Sequence, residues 1–208
     1  MLDLVLALPI QAITWINVAH LVALAVAFGA VVAADLLFLT RATFRPIDRP
    51  TILIADYLSM VTAGGLVALW VTGIALAGMR WAQDPAFVAN EKFWAKVFIV
   101  VLLTINAGLI HDVILPRIRT RVGRRMFEGL GLGDRLVFAA GGALSISSWL
   151  FPTVLGAARE LNNRIPAHEI LTGYYVSLGV GFTAILALSV LSTSRPQDVA
   201  QSLRPARS

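Results

Sequence analysis

Cysteine is absent from the chain, which excludes disulfides, thiolate-bound metal, iron–sulfur clusters and thioether-linked haem. Charge is scarce. Only 14% of residues are charged against 58% hydrophobic, and a mean hydropathy of +0.79 lies outside the range of soluble globular domains. The amino-terminal run MLDLVLALPIQA lacks a basic n-region and a small-residue cleavage site, so no removable signal peptide is expected. No stretch between the apolar runs is long enough for a separate soluble domain.

What fills the 208 residues is a series of apolar runs. No Asp, Glu, Lys or Arg occurs between Asp3 and Asp35, Asp56 and Arg80, Arg135 and Arg159, or Glu169 and Arg195. A fifth run, Phe93 to Pro116, contains Lys96, His111 and Asp112. About 20 apolar residues span the hydrocarbon of a bilayer, and there the backbone satisfies its own hydrogen bonds as helix. The expectation is an all-α polytopic bundle with transmembrane helices at about 14–40, 57–79, 93–116, 135–158 and 169–193. Residues 1–13 form an interfacial lead-in broken at Pro9, residues 194–208 a cytoplasmic tail, and the whole chain a single integral membrane domain.

Basic residues set the orientation. Twelve fall on one side, in the first loop (Arg41, Arg45, Arg49), the third loop (Arg117, Arg119, Arg121, Arg124, Arg125, Arg135) and the tail (Arg195, Arg204, Arg207); Arg80, Lys92, Lys96, Arg159 and Arg164 make five on the other. The positive-inside rule then places the amino terminus outside and the carboxyl terminus in the cytoplasm of a bacterial inner membrane. The net charge of +5 reads as topology signal rather than as a nucleic-acid surface. Trp15, Trp81 and Trp94 fall near the expected outer ends, where an amphipathic ring suits the headgroups. Gly64, Gly65, Gly73, Gly141, Gly142, Ser145, Gly179 and Gly181 suit close helix packing. Gly129, Gly131 and Gly133 have neither the spacing nor the strand context of a phosphate loop and read as a turn into the fourth helix. Five spans without internal similarity argue against an inverted-repeat transporter.

Ionisable groups inside lipid are costly and therefore functional candidates. His20 and Asp35 on the first helix are fifteen residues apart, as are Lys96 and His111 on the third. That spacing is roughly 22 Å of helix axis, with the members of each pair about 60° apart on one face. If the faces meet, His20 and Lys96 share an outer level, and Asp35 and His111 an inner one beside Asp112 and Arg41 or Arg117. At the outer level His20 is a candidate ligand for haem iron or another metal, with Lys96 pairing a propionate or a substrate carboxylate. The plainer alternative is that Lys96 snorkels to the headgroups and His20 bonds a neighbour such as Asn17. At the inner level the alternatives are an ion-pair cluster anchoring helix ends and a proton relay. His20 and His111 lie too far apart in depth to ligate one haem together. Trp70, deep in the second span, either packs the core or forms a flat wall against a planar ligand. His168 sits in an exposed helix-start context, with a metal role as the lesser alternative.

Three segments carry a resemblance: Trp15-Ile16-Asn17-Val18-Ala19-His20 continuing to Gly29, Leu69-Trp70-Val71-Thr72-Gly73, and Phe93-Trp94-Ala95-Lys96 opening the third helix. In this order they resemble the membrane core shared by HemJ-type protoporphyrinogen oxidases and CopD-like copper-resistance proteins. The chain as a whole resembles bacterial inner-membrane proteins related to that core. The resemblance implies a haem-ligating histidine at His20 and an essential lysine at Lys96, hence a b-type haem or porphyrin-linked redox protein. The alternatives are a copper, metal or small-solute transporter or accessory using a polar lane past Thr104 and Asn106, and a non-catalytic membrane scaffold. Expected partners are the lipid bilayer and a redox partner or a second copy of the chain, not nucleic acid; no reaction is assigned.

Overall fold

A computed structural model describes residues 11–39, 45–162 and 164–192; most of the lead-in, Arg41 and the tail lie outside them. Among the described residues there are five helices long and apolar enough to cross a membrane and no strands. They are α1 (Ala12–Leu37), α2 (Arg49–Gln83), α3 (Glu91–Arg119), α4 (Leu132–Ala157) and α5 (Ala167–Leu191). The helices alternate in direction. One end of the bundle carries exposed Trp15, Trp81 and Trp94, and the opposite end carries most of the described arginines.

Two helices depart from the expected spans, each for a local reason. α2 begins eight residues early because Asp48 caps it, accepting a hydrogen bond from the Thr51 amide at 2.9 Å, while Pro50 occupies the first turn, where its missing N–H costs nothing. Its 35 residues extend about 52 Å, so α2 outruns the roughly 30 Å hydrocarbon layer. The charges Arg49 and Asp56 hid this turn from a reading of apolar runs. In α3 a π-helical turn, Ile110–Ile114, interrupts the α-helix. Pro116 cannot bond the Asp112 carbonyl and its ring crowds it; the wider turn accommodates the conflict.

The helices assemble as a hairpin and a three-helix unit. α1 packs along α2, and α4 packs against both α5 and α3. In the hairpin, Gly65 lets α1 approach so closely that an added Cβ would stand 2.5 Å from Ala27 Cβ and 3.2 Å from its Cα. Gly142 and Gly181 make similar approaches to Ile185 and Ala143, whereas Gly64 and Gly179 face open space. Between α4 and α5 the buried pairs Ser148–Tyr174 and Ser147–Ser177, each 2.7 Å, satisfy hydroxyls across the interface.

Charges clamp this unit at both ends. At the tryptophan-rich end, Glu91 accepts a bond from the Ala167 amide at the start of α5 (2.7 Å). Its neighbour Lys92, 6% exposed, donates to the Ala158 carbonyl ending α4 (2.5 Å) and to Asn162 (2.9 Å). Each sign complements the helix dipole it meets. At the arginine-rich end, Arg135 donates to the Ser189 carbonyl near the end of α5 (2.5 Å) and to Phe127 and Leu130 carbonyls. There the segment before α2 is tied to the loop before α4: the Ile47 amide donates to Arg124 (2.9 Å), and the Gly123 amide to Ile47 (2.8 Å). Gly123 holds φ +86°, open to glycine at little cost.

Gly65→Ala is expected to lower thermal stability in detergent by ~1–3 kcal/mol, because the obstruction is backbone and Cβ of Ala27. Gly64→Ala, facing open space, should leave it unchanged or raised; equal behaviour of the two variants would refute the close approach.

Candidate functional site

His20 reaches across the hairpin. Its Nδ1 lies 2.7 Å from Thr72 Oγ1 on α2, and Thr72 Oγ1 donates to the Ala68 carbonyl at 2.6 Å. The hydroxyl has one proton, and it is committed to Ala68. Nδ1–H is therefore the donor to Thr72, and Nε2 keeps its lone pair. Gly73 lies beside the ring edge, an added Cβ falling 3.5 Å from Cε1. Asn17 is not the partner. The imidazole is held in one tautomer and one orientation by a second helix, the way metal-ligating histidines are held.

Lys96 is half-buried and makes no hydrogen bond or ion pair among the described residues. Its charge is felt at His20, and Lys92 and Arg80 add like charge around it. Trp70, two residues from Thr72, donates from Nε1 to Thr104 Oγ1 at 3.0 Å and ties α2 to α3 between the two pairs. No hydrogen bond joins His20 to Lys96 or Asp35 to His111 among the described residues.

α1 and α3 do not stand directly side by side. Their side chains meet in an apolar cluster of Ala27, Val31, Leu66, Leu103 and Trp149, closed by Phe28 and Trp70; Phe28 stacks on Trp149 at 6.0 Å. This plug separates His20 from Asp35 and His111. Thr104 bonds Trp70 and the Val100 carbonyl. Asn106, 1% exposed, donates to the Gly141 carbonyl at 3.1 Å. Both side chains hold helices together, and no polar lane joins the two levels among the described residues.

Below the plug, Asp35 and His111 line a cavity of about 700 Å³ between the hairpin and the three-helix unit. They form no hydrogen bond with each other. Asp112 is exposed and does not line the cavity. The expected anchoring ion pairs exist but recruit other carboxylates: Arg117 pairs with Asp134 at 3.2 Å, and Arg119 with Asp56 at 2.8 Å. Asp35 has no such partner among the described residues. Trp70 lies on the side of α2 away from Thr72 and lines the cavity, so it is not shown as a wall beside His20. His168 is exposed at the start of α5. Among the described residues, no three His, Cys, Asp or Glu side chains gather as a metal cluster.

Sequence reasoning passed over Thr72, Lys92, Trp149 and the cavity. Thr72 had a visible signal: a hydroxyl in Trp70-Val71-Thr72-Gly73 that an antiparallel hairpin brings opposite the first helix.

The five spans define a multi-pass membrane helix bundle. Against known proteins the chain matches no family model, no curated protein and no solved structure. The likeness to HemJ-type and CopD-like cores rests on the three sequence segments alone.

Thr72→Val should release the imidazole. With ¹⁵N-labelled histidine, and only three histidines in the chain, His20 is expected to show the Nδ1–H tautomer in the parent protein and mixed tautomers in the variant. Unchanged ring shifts would contradict the His20–Thr72 bond.

Proposed function

We propose that the protein is a bacterial inner-membrane b-type haem or porphyrin-linked redox protein, amino terminus outside, with His20 as axial ligand. The observation that carries this reading is the His20–Thr72 bond, which leaves Nε2 as an oriented lone pair between two helices. Haem needs only one or two protein ligands because the porphyrin supplies the rest. A lone oriented imidazole suits that better than it suits a copper ion, which would want several protein donors.

Charge fits in the same sense. Haem carries two propionates, and Lys96 is a cation without a carboxylate partner, with Lys92 and Arg80 adding positive potential around it. When bound, the group would supply one-electron redox chemistry. The chain's own residues do the rest. Thr72 fixes the tautomer and raises the ligand's basicity, Lys96 attracts the acidic edge, and the Phe28–Trp149 plug keeps the arginine-rich half of the bundle apolar at this depth. The electron donor or acceptor is a redox partner or a second copy of the chain. A transport reading is weaker because the plug interrupts the route between His20 and Asp35.

The protein purified in detergent after expression with ample haem is expected to give a Soret band and a reduced-minus-oxidised b-type spectrum. His20→Ala should abolish the band, His111→Ala should retain it, and Lys96→Met should weaken haem affinity roughly tenfold, as loss of one charge-assisted contact does. No Soret band in the parent protein, or an intact one in His20→Ala, would overturn the proposal.

A further inference from the structure

The cavity below the plug is a second site with different chemistry. Its volume of about 700 Å³ falls in the range of pockets for drug-sized molecules, ~300–1,000 Å³. All five helices contribute to its walls, which are apolar apart from a few hydroxyls, Asp35 and His111. Phe38, Trp70, Phe127 and Phe138 supply aromatic surface. Val32, Leu36, Val67 and Ile146 line it and are also among the exposed apolar side chains of the bundle. The mouth therefore opens sideways, toward the hydrocarbon of a membrane, and a ligand arrives from lipid.

Asp35 decides which ligand. Its carboxylate lies on the wall, and among the described residues it has no hydrogen bond or ion pair and no Lys or Arg lines the cavity. The nearby arginines do not neutralise it: Arg117 and Arg119 are engaged by Asp134 and Asp56. An acidic group in an apolar site either keeps its proton or holds an opposite charge beside it, and a bound cation favours the ionised form. Aromatic faces favour the same sign of ligand through their quadrupoles. An anionic amphiphile gains no charge partner here, since no Lys or Arg is among the described lining residues.

We infer that the cavity binds a lipophilic monovalent cation, an organic amine or quaternary onium with an apolar or aromatic body, its charge at Asp35 and its body toward Trp70. His111 lines the same cavity without bonding Asp35 and faces the body rather than the charge. This site is independent of the reading of His20, which lies on the other side of the plug.

The test uses the full-length protein in nanodiscs and the probes tetraphenylphosphonium and tetraphenylborate, near-identical in shape and opposite in charge. Tetraphenylphosphonium is expected to bind saturably with one site per chain by equilibrium dialysis. Tetraphenylborate, titrated separately because the two ions pair, should show only the unsaturable partition seen with empty nanodiscs, and Asp35→Asn should weaken phosphonium binding at least tenfold while leaving any His20-dependent Soret band in place. Saturable tetraphenylborate binding of similar affinity, or equal phosphonium binding by Asp35→Asn, would overturn the inference and leave only partition of an apolar body into the groove. The comparison of the two probes on the parent protein stands even if the variant fails to fold.

Discussion

The hydrogen bond between Trp70 and Thr104 sets the register on which both sites depend. Lipid gives helices no hydrophobic incentive to associate, so depth is fixed by close packing and by interhelical polar contacts. Between α2 and α3 two such contacts agree: Trp70–Thr104 at mid-depth and Asp56–Arg119 at the arginine-rich end. They hold α3 to α2, while His20 is held to α2 by Thr72. Lys96 lies within the influence of Arg80, and the Phe28–Trp149 plug divides the two expected polar layers into separated environments.

Those environments differ in the sign of their uncompensated charge. Above the plug, Lys96 has no carboxylate partner among the described residues and feels the like charges of Lys92 and Arg80, and the imidazole of His20 offers a lone pair. Below it, a carboxylate without a partner among the described residues lines a cavity with aromatic walls. The plug of Ala27, Leu66, Leu103 and Trp149 keeps them apart, so a dianionic cofactor and a lipophilic cation each have one place to go. The three-helix unit supplies a rigid frame. Glu91, Lys92 and Arg135 tie the ends of α4 and α5 to α3 and to the loop before α4, and the buried Ser148–Tyr174 pair locks the middle.

The fold was largely legible in the residues. Four charge-free runs and a fifth carrying only Lys96, His111 and Asp112 marked the five spans, and the tryptophans and arginines sorted the two ends. What escaped was information that does not lie in apolar length. The early start of α2 is written in Asp48 and Pro50, capping signals masked by the charges beside them. The π-turn of α3 follows from Pro116, which a simple span treats as an endpoint. The site was legible only in part. Intramembrane His20, Lys96, Asp35 and His111 stood out by cost alone, but depth was counted along each helix separately. Register between helices depends on pairs such as Trp70–Thr104 and His20–Thr72, fifty-two residues apart in the second case. No periodicity within one helix reports that.

The most direct test of the register between α2 and α3 uses the absence of native cysteine and leaves the Trp70–Thr104 bond in place. Asp56 meets Arg119 at 2.8 Å, and Asp112 lies about two turns earlier on α3. Paired variants Asp56→Cys/Arg119→Cys and Asp56→Cys/Asp112→Cys, treated in membranes with a short bifunctional thiol reagent, separate this register from a slipped one. Rapid intramolecular linkage of the 56/119 pair with little linkage of the 56/112 pair is the predicted result; the reverse order of rates would contradict the account.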